Sequence, residues 1–134
     1  MSIDRQPIVR ARLRRIDGSF GFIPHRFLRD GFLQSLTADE LRLYLMLVLV
    51  ADRDGLSFYS HRRLSAVLEM SPETYLQARE ALLRKDLIAA DGARVQVLSL
   101  PPKPVQVELR PMAHRDQAAA CEAVLAALAL DAPK

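Results

Sequence analysis

The 134-residue chain has no tryptophan, one cysteine, five glycines and three histidines, and aromatic residues make up only 6% of it. Each scarcity excludes something. A lone Cys121 forms no internal disulfide, and His25, His61 and His114 lack the spacing of a metal cluster, so neither a covalent nor a metallic staple is expected. Five glycines leave little room for a phosphate-cradling loop, and there is no P-loop or Gly-rich dinucleotide turn. No Ser, Cys or His stands in a recognisable nucleophile motif. A non-enzyme without cofactors is therefore the expectation. The longest apolar stretch, Leu41 to Ala51, is interrupted by Arg42 and is too short to span a bilayer. The N-terminus lacks an apolar signal core, and with the single thiol this points to a cytoplasmic chain away from membranes.

What is present is the composition of one soluble domain, 50% hydrophobic and 26% charged. At this length folding buries roughly two-thirds of the unfolded surface, enough for an unaided core. The net charge of +3 is modest, but it is unevenly placed. Residues 1–36 hold seven arginines and three aspartates, net +4, whereas residues 37–88 hold seven basic and eight acidic residues, net −1. Sixteen of the nineteen basic residues are arginine, which suits bidentate phosphate contacts and equally suits a GC-rich coding bias.

Three parts follow from the pattern. Residues 1–36 form a basic arm in which Val9, Ala11 and Leu13 alternate with Arg10, Arg12 and Arg14, and Asp17-Gly18 precedes Phe20, Phe22 and Ile23. That pattern predicts an N-terminal β-hairpin, then a helical turn from His25 to Asp30 closed by Gly31. In residues 37–100, Thr37 and Glu40 make a capping box flanked by Leu36 and Leu41, which starts a long helix apolar almost all round and so buried by its neighbours. Leu56-Ser57-Phe58 reads as a short strand. Ser60 caps a second helix to about Glu69, with Leu64, Val67 and Leu68 on its inner face, and Ser71-Pro72 opens a third with Tyr75, Ala78, Leu82 and Leu83 inward. Asp91-Gly92 between Ala89 and Leu100 predicts a second hairpin. Residues 101–134 begin with a stiff Pro101-Pro102-Lys103-Pro104 connector, continue with a strand over 105–109, and end in an Ala-rich helix over 115–130 striped by Cys121, Val124, Leu125 and Leu128. That stripe suits packing on the core or pairing with a second subunit as a homodimer.

The order helix, strand, helix, turn, helix, hairpin is that of a winged helix-turn-helix, an α+β fold with a three-helix core and a β-hairpin wing. The stretch from Leu41 to Leu100, above all SHRRLSAVLEMSPETY and the exit LLRKDLI, resembles the winged helix domains of bacterial transcriptional regulators and of plasmid and phage replication initiators. The upstream FGFIPHRFL is similar to the entry of replication-initiator N-terminal domains. Asp86 stands where that pattern commonly has glycine. The resemblance implies binding of double-stranded DNA, in transcriptional regulation or in replication initiation of a mobile element, plasmid or phage. It places Pro72, Glu73, Thr74, Leu76, Gln77 and Glu80 or Arg84 toward a major groove, with Ser71 at the helix start. Gln77 suits adenine, Glu73 suits the cytosine amino group, and Thr74 suits a phosphate or a thymine methyl.

Phosphate neutralisation supplies most of the affinity for DNA, so the cations matter as much as the groove helix. Arg62 and Arg63 open the second helix, Arg94 follows the wing turn, and Arg10, Arg12 and Arg14 form a row on the predicted N-terminal strand. Each has a bland alternative: a solvated helix face, an ordinary wing residue, or a charged edge that discourages strand pairing. Tyr44, Tyr75, Phe58, Met46 and Met70 stand at core spacing and read as packing; Tyr59 reads either as packing or as an exposed ring that stacks or donates to a phosphate, and His61 either as a phosphate contact or as an exposed residue with no specific role. The third helix is charge-neutral, with Arg79, Arg84 and Lys85 against Glu73, Glu80 and Asp86, so a winged helix used as a protein-interaction module is the competing expectation.

Overall fold

The computed structural model describes residues 5–105, an α+β arrangement of four helices and one small antiparallel sheet. Helix α1 spans Arg26–Arg29, α2 Ala38–Val50, α3 His61–Leu68 and α4 Pro72–Arg84. Strands β1 (Leu56–Ser57), β2 (Ile88–Asp91) and β3 (Arg94–Val97) pair in the order β1-β3-β2. The strand expected over 105–109 and the helix expected over 115–130 lie outside the described residues, apart from Val105.

Local capping chemistry sets the helix starts. Thr37 Oγ1 accepts from the Glu40 amide at 3.3 Å, Ser60 Oγ from the Arg63 amide at 3.1 Å, and Ser71 Oγ from the Thr74 amide at 3.2 Å. Pro72 occupies the first position of α4, where its missing N–H costs nothing. Helix α3 ends on Glu69 in the left-handed region at φ +53°, and the turn after α4 places Asp86 there at φ +61°, the glycine-like position noted in the sequence. Gly31, at φ +88°, follows α1 as expected.

The core forms where these elements meet. Leu43, Tyr44 and Leu47 of α2, Leu64 and Leu68 of α3, and Tyr75, Ala78 and Leu82 of α4 close over Leu87, Ile88 and Val95 of the sheet region. Phe27 and Phe32 from the preceding segment join the same cluster, and Phe27 stacks on Tyr44 with ring centroids 5.2 Å apart. A buried ion pair ties the two long helices: Lys85 Nζ bonds Glu40 Oε1 and donates to the Ser35 carbonyl at 2.7 Å, while Thr37 Oγ1 donates to Glu40 Oε2 at 2.8 Å. The glutamate of the expected capping box is thus drawn to the lysine. The proline connector is fastened as well, since Arg26 donates to the carbonyls of Leu100, Pro101 and Pro102 at 3.2, 2.7 and 3.2 Å.

Several expectations are corrected. Residues 8–23 contain no strand; Arg10–Arg12 form a single 3-10 turn and the N-terminal hairpin is absent. Alternation alone does not hold a hairpin in water without an apolar surface beneath it, and here Ile8, Val9, Leu13, Ile16, Phe20 and Phe22 are all exposed. Helix α2 is not covered all round, because Leu45 and Leu49 face solvent. On α3 the buried positions are Leu64, Ser65 and Leu68 rather than Val67, which is exposed. Ser65 tolerates burial because its hydroxyl donates to the His61 carbonyl at 2.8 Å. Phe58, expected in the core, is also exposed, beyond the short β1.

Candidate nucleic-acid interface

The first turns of α3 and α4 are joined by a polar contact: His61 Nδ1 and Tyr75 Oη share a hydrogen bond of 2.8 Å, with the rings edge to face at 5.5 Å. His61, expected to be exposed, is therefore a link between the helices. Burial pushes the Tyr75 phenol up to about 12, opposed by the nearby Arg79, so the hydroxyl stays protonated through the ordinary pH range. Arg79 is itself largely enclosed, lies 3.7 Å from Glu80, and has a buried Nε with no hydrogen-bond partner.

That link brings several of the expected site residues into one neighbourhood. Arg62 and Arg63 lie in the first turn of α3, which the His61–Tyr75 bond ties to the first turn of α4, where Glu73 and Thr74 follow the Ser71 cap. Arg63 is exposed, with its guanidinium 4.7 Å above the Tyr59 ring, and Tyr59 packs partly against the core. Arg62 is half-buried. Ser71 is engaged as the α4 cap and also donates to Thr74 Oγ1 at 2.9 Å, leaving the Thr74 hydroxyl hydrogen to point elsewhere.

Along α4, Glu73, Gln77, Glu80 and Arg84 recur at helical spacing on the solvent side. Leu76, expected to face a groove, is instead buried, because it closes the core beside Tyr75. Arg84 stands three turns along from Glu73, about 16 Å by helical rise, and so belongs to the far end of this surface. Lys85 is withdrawn from the surface by its pairing with Glu40. The exposed charge of α4 is thus neutral to slightly acidic.

Other cations stand apart. Arg94 is exposed on the β2–β3 hairpin and paired with Asp91, its partner in the strand register. Arg10 bonds Gln6, and Arg12 and Arg14 are exposed in the arm; none of the three bonds to α3 or α4. Sequence identity alone did not separate these cations from Arg26 and Arg42, which are engaged on the carbonyls of the connector and of Leu68. Among the described residues no group of three or more His, Cys, Asp or Glu could hold a metal ion, and no helix is long and apolar enough to cross a membrane.

Comparison with models of protein families, with curated proteins and with solved structures finds no match to this chain.

Proposed function

We propose that this chain is a winged helix-turn-helix protein that binds double-stranded DNA and acts in transcriptional regulation or in replication initiation of a plasmid, phage or other mobile element. The reading is carried by the hydrogen bond between His61 and Tyr75, which sets the arginines opening α3 beside the first turn of α4, while a two-stranded hairpin follows α4. In this reading α4 lies in the major groove, Arg62 and Arg63 meet the backbone beside it, and Arg94 of the wing meets flanking phosphate. Thr74 and Gln77 face bases, and Glu73 finds a cytosine amino group. Arg10, Arg12 and Arg14 add phosphate contacts from the arm, and residues 115–130 pair two copies across a two-fold site.

The test is a titration of the protein into fluorescent mixed-sequence duplex at roughly 50 and 200 mM salt. Binding that weakens steeply with salt, and charge reversal at Arg62 and Arg63 that flattens this dependence, are the expected results. Absence of binding at the lower salt would overturn the reading.

A second reading, a winged helix that docks on proteins, is favoured by the lack of net positive charge on the α4 face and by the exposed Leu45 and Leu49 of α2. It expects duplex binding to be absent and charge reversal at Arg62 and Arg63 to change nothing.

A further inference from the structure

Resting on the duplex-binding reading above, we infer that Phe58 and Arg94 form a stacking site for an unpaired base of DNA adjoining the duplex. Phe58 is 66% exposed although Ser57 just before it is buried. The antiparallel register pairs Leu56 with Gln96 and Ser57 with Val95, where β1 ends, and the same alternation carried one residue further would set Phe58 opposite Arg94. Cross-strand partners share a face of the sheet. Ser57 and Val95 both turn into the core, so Phe58 and Arg94 both turn out to water. Asp91, the register partner of Arg94 on the other side, holds its guanidinium in place.

The surface therefore offers an open aromatic face beside a fixed cation. The next residue repeats the combination with the ring already covered, since Tyr59 is packed on the core below and carries Arg63 above. Bases of a single strand stack on such rings whatever their sequence, while neighbouring arginines take the phosphates. Paired bases within a duplex are sealed in the stack, so apart from the terminal pair of a blunt end only an unpaired strand presents a π-face to Phe58. A protein partner would need a broader apolar patch than one ring with Leu56 and Ala89 beside it, and the same face carries Arg94, Gln96 and Asp91, all exposed and polar.

The chain has no tryptophan, so Phe58→Trp introduces a single fluorescent reporter that retains a stacking ring. The full-length protein would be titrated with a blunt duplex and with the same duplex carrying a single-stranded extension. Tighter binding to the extended DNA by roughly five- to hundredfold is expected from stacking one base. The emission of Phe58→Trp should be quenched by the extended DNA and not by the blunt one. Phe58→Ala should lose the preference while keeping its blunt-duplex affinity and its thermal unfolding curve. Equal affinity for the two DNAs, or an undiminished preference in Phe58→Ala, would overturn the stacking site and leave duplex binding standing. Failure to bind either DNA would overturn duplex binding and the stacking site with it.

Discussion

Residues 5–22 and the packed body from Phe27 to Leu100 both carry apolar side chains, at seven of eighteen positions in the first and thirty-nine of seventy-four in the second, and they differ in what those side chains meet. Every residue of the first segment is exposed, Ile8, Ile16 and Phe22 among them, whereas Leu64, Leu82 and Leu87 in the second are almost wholly enclosed. The body has surfaces that face each other: α2 and α4 close over one side of a sheet whose strands come from two places in the chain, β1 and the β2–β3 hairpin. The arm touches the body near its end, where Gly21 passes so close to α2 that a Cβ there would come within 2.8 Å of the Val48 carbonyl. An alternating sequence becomes a strand only when one of its faces has somewhere to go.

The sharpest way to break this contrast is in the body. Leu82→Ala, at a site with no exposure, should lower unfolding free energy by about 2–5 kcal/mol in denaturant titration, while Leu13→Ala in the arm should change it by less than about 0.5 kcal/mol. Lys85→Met should be nearly as severe, about 3–5 kcal/mol, because it leaves the Glu40 carboxylate enclosed without its cation. Adding Glu40→Gln to Lys85→Met should recover much of that stability, and a double-mutant cycle reads the coupling directly.

These sites also mark where sequence reasoning stops. The starts of α2, α3 and α4 were legible because Thr37, Ser60 and Ser71 act on amides three residues away, and the β2–β3 hairpin because Asp91-Gly92 marks its turn. The pairing of Glu40 with Lys85, and of His61 with Tyr75, joins residues far apart in sequence, and no local spacing announces it. The same limit applies to the site. Arg62, Arg63 and Arg94 were legible as cations, but that Lys85, Arg26 and Arg42 are engaged inside the protein follows only from the packing. Exposure of Phe58 was missed because β1 ends one residue earlier than its sequence pattern suggests.

Smaller effects sharpen the picture of the α3–α4 junction. Tyr75 has its phenol raised by burial from the ordinary 10.0 to about 12, so the folded state holds that proton more tightly than the unfolded chain does. Its contribution, about 2–3 kcal/mol by that difference, is complete below pH 10 and disappears as pH rises toward 12. Stability measured across that window should fall in the native protein and fall less in Tyr75→Phe. Glu69→Gly should act in the opposite sense, raising stability by about 1 kcal/mol, since the left-handed backbone at φ +53° strains any side chain. A rise in melting temperature of a few degrees would show it.

The smallest effect on stability should come from removing residues 1–18, which leaves Gly21 in place against α2. Unfolding free energy should stay within about 0.5 kcal/mol, because the described part of this segment, residues 5–18, buries nothing. Duplex binding should respond quite differently. The deleted segment carries Arg5, Arg10, Arg12, Arg14 and Arg15, and for every phosphate that these arginines neutralise the deletion should flatten the salt dependence of log affinity by about 0.9. A flatter slope with unchanged stability would mean that the arm is ordered by DNA rather than by the body, its cost of ordering met only on binding. An unchanged slope would confine the phosphate contacts to Arg62, Arg63 and the β2–β3 hairpin, and a large drop in stability would mean that the arm and the body are one folding unit.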